Sequence, residues 1–254
     1  LAFMQYRWVG QVSEGERDRM QRNLETAADQ FRAAFDAELR NANRDLVVGS
    51  NTAREGGSPQ YSQRYNFWLN NAEHPQIVAD IYVVDAEGGH LRLRRFNNTT
   101  HAFEPSLWPE SIDKLRPSFE KAYAASQAQR APERGLFSDA DDSLILSGLQ
   151  NFEGVRPGSP IPRPTLPMFG YTVIQLDESY LRGQMIPALV EKHFTATGGD
   201  AYRVAVVGGS DSNKVLYRSS PEASTDAKRA DASVQLLQPL RFGRNPGGRA
   251  GGGP

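Results

Sequence analysis

Several features that would narrow the function are missing from this sequence of 254 residues. It contains no cysteine, which excludes disulfide bonds, thiolate metal sites and a cysteine nucleophile. No apolar run approaches the roughly 18 residues that a membrane-spanning helix needs, so the sequence predicts no such helix. Basic and acidic side chains number 29 and 30, and this near-balance gives no support for a nucleic-acid partner.

Motifs for catalysis and for metal binding are missing as well. The four histidines show none of the HxH, HxxxH or HExxH spacings that place two ligands on one helix face or strand. The acidic run SDADDS at 138–143 resembles the start of a calcium loop, but Leu144 stands where that loop requires glycine. There is no GxSxG, P-loop or GxGxxG motif. We therefore expect no catalytic residue, no metal and no cofactor in this chain.

The clearest pattern that is present predicts a long amphipathic helix over residues 13–46. Apolar side chains recur at steps of three and four, and there is no Gly or Pro between Glu16 and Val48. A helix of about 30 residues is roughly 45 Å long. Such a stripe either packs along its own domain or pairs with a second copy. For the second alternative the predicted dimer seam is Met20, Leu24, Phe31 and Phe35.

The remaining patterns predict short strands mixed with helices. Strands are expected at 77–85, 90–96, 144–149, 169–176, 202–208, 214–219 and 233–240, and helices at 60–71, 111–129 and 177–194. Pro117 is expected to split its helix, and Pro187 to kink the following one. Because hairpins outnumber βαβ units, the fold class is α+β, with a long N-terminal helix followed by an antiparallel sheet and flanking helices.

The two ends of the chain differ in composition from the rest. Residues 1–12 include Tyr6 and Trp8, which suit a membrane–water boundary, so this stretch is interpreted as the membrane-proximal end of a truncated transmembrane segment. The alternative is the ordinary start of the long helix, with both aromatic side chains packed on a core. Residues 241–254 are rich in glycine and proline and are expected to form a flexible linker.

An arginine cluster on the second predicted strand is a candidate for ligand recognition. Alternation places Arg92 and Arg94 on one face, and Arg95 on the other face with Leu91 and Leu93. An arginine on an apolar face is costly unless it binds an acid or a ligand carboxylate. The favoured alternative is that the strand bends or ends there and leaves Arg95 exposed.

Four stretches resemble the extracytoplasmic sensor domains of bacterial membrane-bound histidine kinases. They are QYRWVGQVSEGERDRMQRNL, which resembles the segment following the first transmembrane helix, WLNNAEHPQIVADIYVVD, FGYTVIQLDESYLRGQMIPALVEKHF and YRVAVV. The resemblance covers residues 1 to about 220 and implies a PAS-like or Cache-like module carried on a long helix. It divides the chain into a signalling and dimerisation helix at 13–48 and a PAS-like sensor domain at 60–240. The kinase core, with its phosphoacceptor histidine and ATP-binding boxes, is not in this sequence.

The resemblance implies a periplasmic domain at the bacterial inner membrane that senses a small molecule, forms a homodimer and moves a helix to pass on the signal. Flanking transmembrane helices would connect it to the membrane. The alternative is the ectodomain of a chemoreceptor or another membrane receptor of the same fold, and a third class is a hydrolase or metalloenzyme. Bulky residues with polar tips on or near the strands are the predicted ligand contacts: Tyr82, Arg95, Trp108 and Tyr171.

Overall fold

Helices and antiparallel strands alternate irregularly along the chain, as the hairpin-rich sequence predicts. The computed structural model describes residues 2–5, 14–130, 136–137, 140–149, 169–194, 202–208, 214–221, 223, 225 and 230–236. Its elements are β1 (Ala2–Gln5), α1 (Glu14–Leu46), α2 (Ser50–Glu55), α3 (Pro59–Asn71), β2 (Val78–Glu87), β3 (His90–Asn97), β4 (Ala102–Pro105), α4 (Glu110–Asp113), α5 (Arg116–Gln127), β5 (Leu144–Gly148), β6 (Gly170–Leu176), α6 (Glu178–Tyr180), α7 (Ile186–Phe194), β7 (Arg203–Val207), β8 (Val215–Arg218) and β9 (Ala232–Val234).

Helix α1 has 33 residues and confirms the long helix predicted at 13–46. The apolar stripe is buried within the same chain, where Leu24, Phe31 and Leu39 belong to the main core. The ring of Phe31 lies 5.9 Å from that of Phe194 on α7. The stripe therefore packs along its own domain, which is the first of the two alternatives that the sequence left open.

This packing buries most of the predicted dimer seam. Leu24, Phe31 and Phe35 are 2%, 0% and 4% exposed, and only Met20 keeps an intermediate exposure. Three of the four seam residues are thus already covered by α7 and the neighbouring core. A face that is filled within one chain is not available to a second copy, so a homodimer, which stays a prediction, has to use another surface.

The larger sheet has five antiparallel strands in the order β4-β3-β2-β6-β5. Strand β2 is central, and Gly88 and Gly89 turn the chain into β3 with φ angles of 58° and 88°, as a two-residue hairpin turn requires. Alternate side chains of β2 lie on opposite faces of the sheet. Val83 packs in the core that contains α1, and Val84 packs in a second core that contains residues of α4 and α5. The antiparallel α+β fold class is confirmed.

A second sheet has the strand order β8-β7-β1-β9. Strand β1 lies between β7 and β9. Its residue Phe3 is opposite Ala205 on β7 and Ser233 on β9. Neither interpretation of residues 1–12 includes this strand; the membrane-proximal assignment stays a prediction. In the part of the chain that is described, no helix combines the length and apolar character needed to cross a membrane.

Two prolines shape the helices as expected. The break between α4 and α5 falls just before Pro117, which occupies the first turn of α5, where its missing N–H is not needed. Between α6 and α7, residues 181–185 form a π-helical segment in which the Ile186 N–H donates to the Leu181 carbonyl. Pro187 follows directly and cannot donate to Gly183, so the altered register absorbs the predicted kink.

Parts of two sequence-based predictions lie outside the described residues. They are Tyr6 and Trp8 of the predicted membrane-proximal end and the Gly/Pro linker at 241–254. Strand β9 (Ala232–Val234) overlaps the start of the strand predicted at 233–240, and residues from 237 onward are likewise not described.

Candidate functional site

A polar cleft of about 630 Å³ lies at the end of the larger sheet where β2 begins and β3 ends. Side chains from α3, β2, β3, β4 and the segment after β4 form its walls. Its principal lining residues are Tyr65, Asp80, Arg95, Asn97, Glu104 and Leu107. We call it the Arg95 cleft, because Arg95 is the one predicted ligand residue that lines it.

Arg95 is held in the cleft by a chain of hydrogen bonds that begins in the core. Tyr82 lies directly opposite Arg95 in the β2–β3 register, and its hydroxyl donates to Asp80 Oδ2 at 3.3 Å. Asp80 Oδ1 accepts from Arg95 Nε at 2.6 Å. Burial, and then the Asp80 carboxylate, raise the pKa of Tyr82 to about 12, so this phenol stays a donor. The structure brings these two predicted site residues together through Asp80.

The Arg95 guanidinium keeps most of its hydrogen-bonding capacity. Only its Nε is engaged, and both terminal nitrogens lack a protein partner among the described residues. The side chain is 56% exposed. The two alternatives for this residue therefore both hold in part, since Arg95 is exposed near the end of β3 and also binds an acid.

A carboxylate stands next to Arg95 on the neighbouring strand. Glu104 is the cross-strand partner of Arg95 in the β3–β4 register. It accepts hydrogen bonds from Thr100 Oγ1 at 2.6 Å and from Asn97 Nδ2 at 3.0 Å. These two donors, Thr100 first, hold the pKa of Glu104 below its ordinary value. The cleft thus presents opposite charges side by side, each oriented by its own partners.

The other two predicted ligand residues lie elsewhere, in an aromatic cluster between the sheet and α5. The ring of Phe119 is 6.2 Å from that of Trp108 and 5.5 Å from that of Tyr171. The Arg116 guanidinium stacks on Trp108 at 4.5 Å. Burial raises the pKa of Tyr171. These rings pack against one another, which gives them a role in the second core and separates them from the Arg95 cleft.

A buried ion pair, which the sequence analysis missed, lies on the opposite face of β2 and β3. Asp85 and Arg94 are 3% and 6% exposed and form an ion pair. Arg94 also donates to the Ala53 carbonyl at the end of α2, and Arg92 forms a further ion pair with Asp85. The cluster ties α2 to the sheet, and its two central charges, Asp85 and Arg94, are closed off from solvent.

The C-terminal end of α1 is clamped by its neighbours. Tyr61 Oη on α3 donates to the Leu46 carbonyl at 2.9 Å, and Arg64 Nη2 donates to the Val47 carbonyl at 2.5 Å. The Val48 N–H donates to Thr172 Oγ1 on β6 at 2.9 Å. Orphan carbonyls of a helix end are thereby satisfied by side chains. Tyr61 and Arg64 thus connect α3 to the end of α1.

A group of titratable side chains lies between α1, α6 and α7. His74 Nδ1 is 2.9 Å from Tyr180 Oη, and Glu38 on α1 faces His74, Glu73 and Lys192. Burial is the largest influence on Glu38 and raises its pKa, Glu73 adds to this, and His74 and Lys192 oppose it. The ionised form of Glu38 is therefore less favourable in the folded chain than in the unfolded one.

We expect Glu38→Gln to stabilise the protein at neutral pH. A carboxyl whose pKa is raised on folding contributes stability below its ordinary value of 4.5, and this is lost as the pH rises through the folded-state value. Because Glu38 is only half-buried, solvent screening limits the gain to less than about 1 kcal/mol. Melting curves from about pH 4 to about pH 8 should converge at the acidic end; Glu120→Gln, on the exposed side of α5, is the control. Equal melting temperatures at every pH would contradict the expectation.

A second cleft, of about 530 Å³, lies between the α2–α3 corner and the turn after β3. Gln63, Asn66 and His101 line it. Gly57 is required here, because a Cβ would lie 2.7 Å from the His101 carbonyl oxygen. In contrast to the Arg95 cleft, the described lining of this second cleft contains no ion pair.

Known proteins supply no direct assignment of these sites. No protein-family model, curated protein or solved structure matches this chain. Within the described residues, no group of three or more histidine, aspartate and glutamate side chains is arranged to hold a metal ion. The Arg95 cleft and its connection to α1 are therefore the structural features that point to a function.

Proposed function

We propose that this chain is the ligand-sensing, extracytoplasmic domain of a membrane-bound two-component histidine kinase, with a PAS-like or Cache-like fold. The four resembling stretches suggest the family, and an antiparallel sheet carried behind a long N-terminal helix is the arrangement that the resemblance implies. The Arg95 cleft is the proposed ligand site. The observation that carries the proposal is a guanidinium with free donors in a cleft whose wall, α3, also clamps α1.

The proposed route for the signal runs along α3. Tyr65 lines the Arg95 cleft, and Tyr61, one turn earlier on the same helix, holds the Leu46 carbonyl at the end of α1. A ligand that prefers one position of α3 would bias the position of α1. Helix α1 is about 50 Å long, so a small displacement of its clamped C-terminal end would also move its N-terminal end.

Other parts of the proposal concern what lies around this domain. Phosphate chemistry would be carried out by a kinase core elsewhere in the parent protein, and membrane helices would flank the periplasmic domain. A homodimer would use a surface other than the buried stripe of α1. These statements follow from the resemblance and stay proposals.

A small-molecule screen tests the ligand site. Thermal denaturation of the chain against a library of polar metabolites should reveal compounds that raise the melting temperature, because a ligand bound only by the folded state at 100 times its dissociation constant adds about 2.7 kcal/mol. Arg95→Gln should abolish the shift, whereas Gln63→Ala in the second cleft should keep it. A screen in which no compound acts, or in which Arg95→Gln responds like the wild type, contradicts the proposed site.

Transmission is tested by a distance measurement, for which the absence of cysteine is an advantage. Cysteines introduced at the exposed positions Gln30 on α1 and Glu120 on α5 would carry the only spin labels in the chain. A compound from the screen should shift the label-to-label distance distribution in the wild type and not in Arg95→Gln. Binding with an unchanged distance would leave a binding domain but remove the sensor mechanism.

A further inference from the structure

We infer that the ligand of the Arg95 cleft is a zwitterion: a small molecule whose carboxylate or other oxyanion binds Arg95 and whose cationic group binds Glu104. This inference rests on the proposed function, since it names the class of ligand for the same cleft. Its basis is that two oppositely charged side chains, Arg95 and Glu104, line the same cavity and are not bonded to each other.

The anionic half of the ligand is indicated by the unused edge of Arg95. Asp80 engages Nε, and neither terminal nitrogen has a partner in the described part of the chain, so the edge formed by these two nitrogens is free. A planar guanidinium presents two parallel N–H donors that match the two oxygens of a carboxylate. Asp80, itself held by the Tyr82 hydroxyl, fixes the plane of the guanidinium before any ligand arrives.

The cationic half is indicated by Glu104. Each of its carboxylate oxygens accepts one hydrogen bond, from Thr100 and from Asn97, and each has a second lone pair available. These donors keep the carboxylate ionised and fix its direction. As the cross-strand partner of Arg95, Glu104 presents its charge within reach of the same bound molecule.

The charges of the cleft argue against ligands that carry a single charge. Its charged lining residues are Asp80, Glu104 and Arg95, which sum to one negative charge. A simple anion at Arg95 would meet two carboxylates, and a simple cation at Glu104 would meet the guanidinium. A molecule that carries both charges satisfies both sites and adds no net charge to the cleft.

Apolar surface between the polar groups indicates what joins the two charges. Leu107 is 90% exposed and Pro105 is exposed, and both line the cleft. A short chain of methylene groups would cover this surface and remove it from water. The inferred ligand is thus an aliphatic zwitterion with its charges at opposite ends.

Calorimetric titration with three matched series tests the inference. The first series contains straight-chain ω-amino carboxylates with one to five methylene groups, and the other two contain the corresponding alkyl carboxylates and alkylamines. We expect at least one amino carboxylate to bind roughly tenfold more tightly than its matched acid and amine. Arg95→Gln and Glu104→Gln should each weaken that compound by roughly tenfold or more, whereas Gln63→Ala should leave its affinity unchanged.

Both charge variants replace solvent-accessible groups, and their unligated melting temperatures show whether they fold. If acids bind as tightly as amino carboxylates, or if Glu104→Gln keeps full affinity, the zwitterion inference fails while the ligand site at Arg95 stands. The same conclusion follows if other library compounds bind in an Arg95-dependent way and no amino carboxylate does. If nothing binds in an Arg95-dependent way, both the zwitterion inference and the proposed function fail.

Discussion

Asp85→Asn is expected to lower the free energy of unfolding by about 3–5 kcal/mol, because breaking a buried ion pair leaves the partner charge uncompensated. Arg94 would stay buried at 6% exposure, and Arg92 would lose the carboxylate that keeps two neighbouring guanidinium groups together. The melting temperature should fall by roughly 10 °C for a domain of this size. Thermal and denaturant unfolding of the variant, followed by circular dichroism, measure the effect.

Two variants separate the charge effect from loss of packing. Replacing both partners, as in Asp85→Leu with Arg94→Leu, should recover much of the lost stability, because no unpaired charge is then buried. Glu87→Gln changes an exposed partner of Arg92 and should alter the free energy of unfolding by less than about 1 kcal/mol. A double variant that is less stable than Asp85→Asn would show that the pair stabilises the fold beyond compensating its own charges.

Phe31→Ala is expected to destabilise the protein by about 3–5 kcal/mol, since the side chain is fully buried and its removal leaves a cavity. Its ring contacts Phe35 and Phe194, so the cavity would open where α1 meets α7. The melting temperature should fall by roughly 10 °C. Phe67→Ala on α3, where the side chain is 66% exposed, is the matched control and should have little effect.

The same variant tests where the stripe of α1 is buried. Because Phe31 packs within its own chain, the loss should be the same at low and at high protein concentration. If the stability of the wild type rises with concentration and this dependence disappears in Phe31→Ala, the stripe contacts a second copy and the arrangement described here is incorrect. Mass measurements of both proteins in solution complete the comparison.

Local patterns predicted the elements that depend on neighbouring residues. The 3/4 spacing of apolar residues predicted α1, and the turn at Gly88 and Gly89 predicted the hairpin of β2 and β3. Pro187 predicted a disturbed helix, and the π-helical segment ends two residues before it. In each case the cause lies within a few positions of the effect, so a single sequence contains it.

The ion pair of Arg94 with Asp85 was missed, although it was accessible to sequence reasoning. Counting outward from the glycine turn places Asp85 opposite Arg92, and Arg94 lies two positions further on the same face. Strand alternation identifies the two faces of a strand but does not pair its residues with those of the next strand. The link from Arg95 to Asp80 was harder to predict, because the β2–β6 register shifts between Val78 and Asp80. Spacing along the chain does not reveal such an irregularity.

Strand β1 has a consequence for how the chain acquires its structure. Phe3 pairs with Ala205, so the central pairing of the smaller sheet joins positions about 200 residues apart. Closing so large a loop costs conformational entropy before any contact compensates for it, and distant pairings slow folding. During synthesis β1 must wait unpaired until almost the whole domain has emerged. The smaller sheet is therefore expected to assemble late, onto a larger sheet and an α1 core that are already in place.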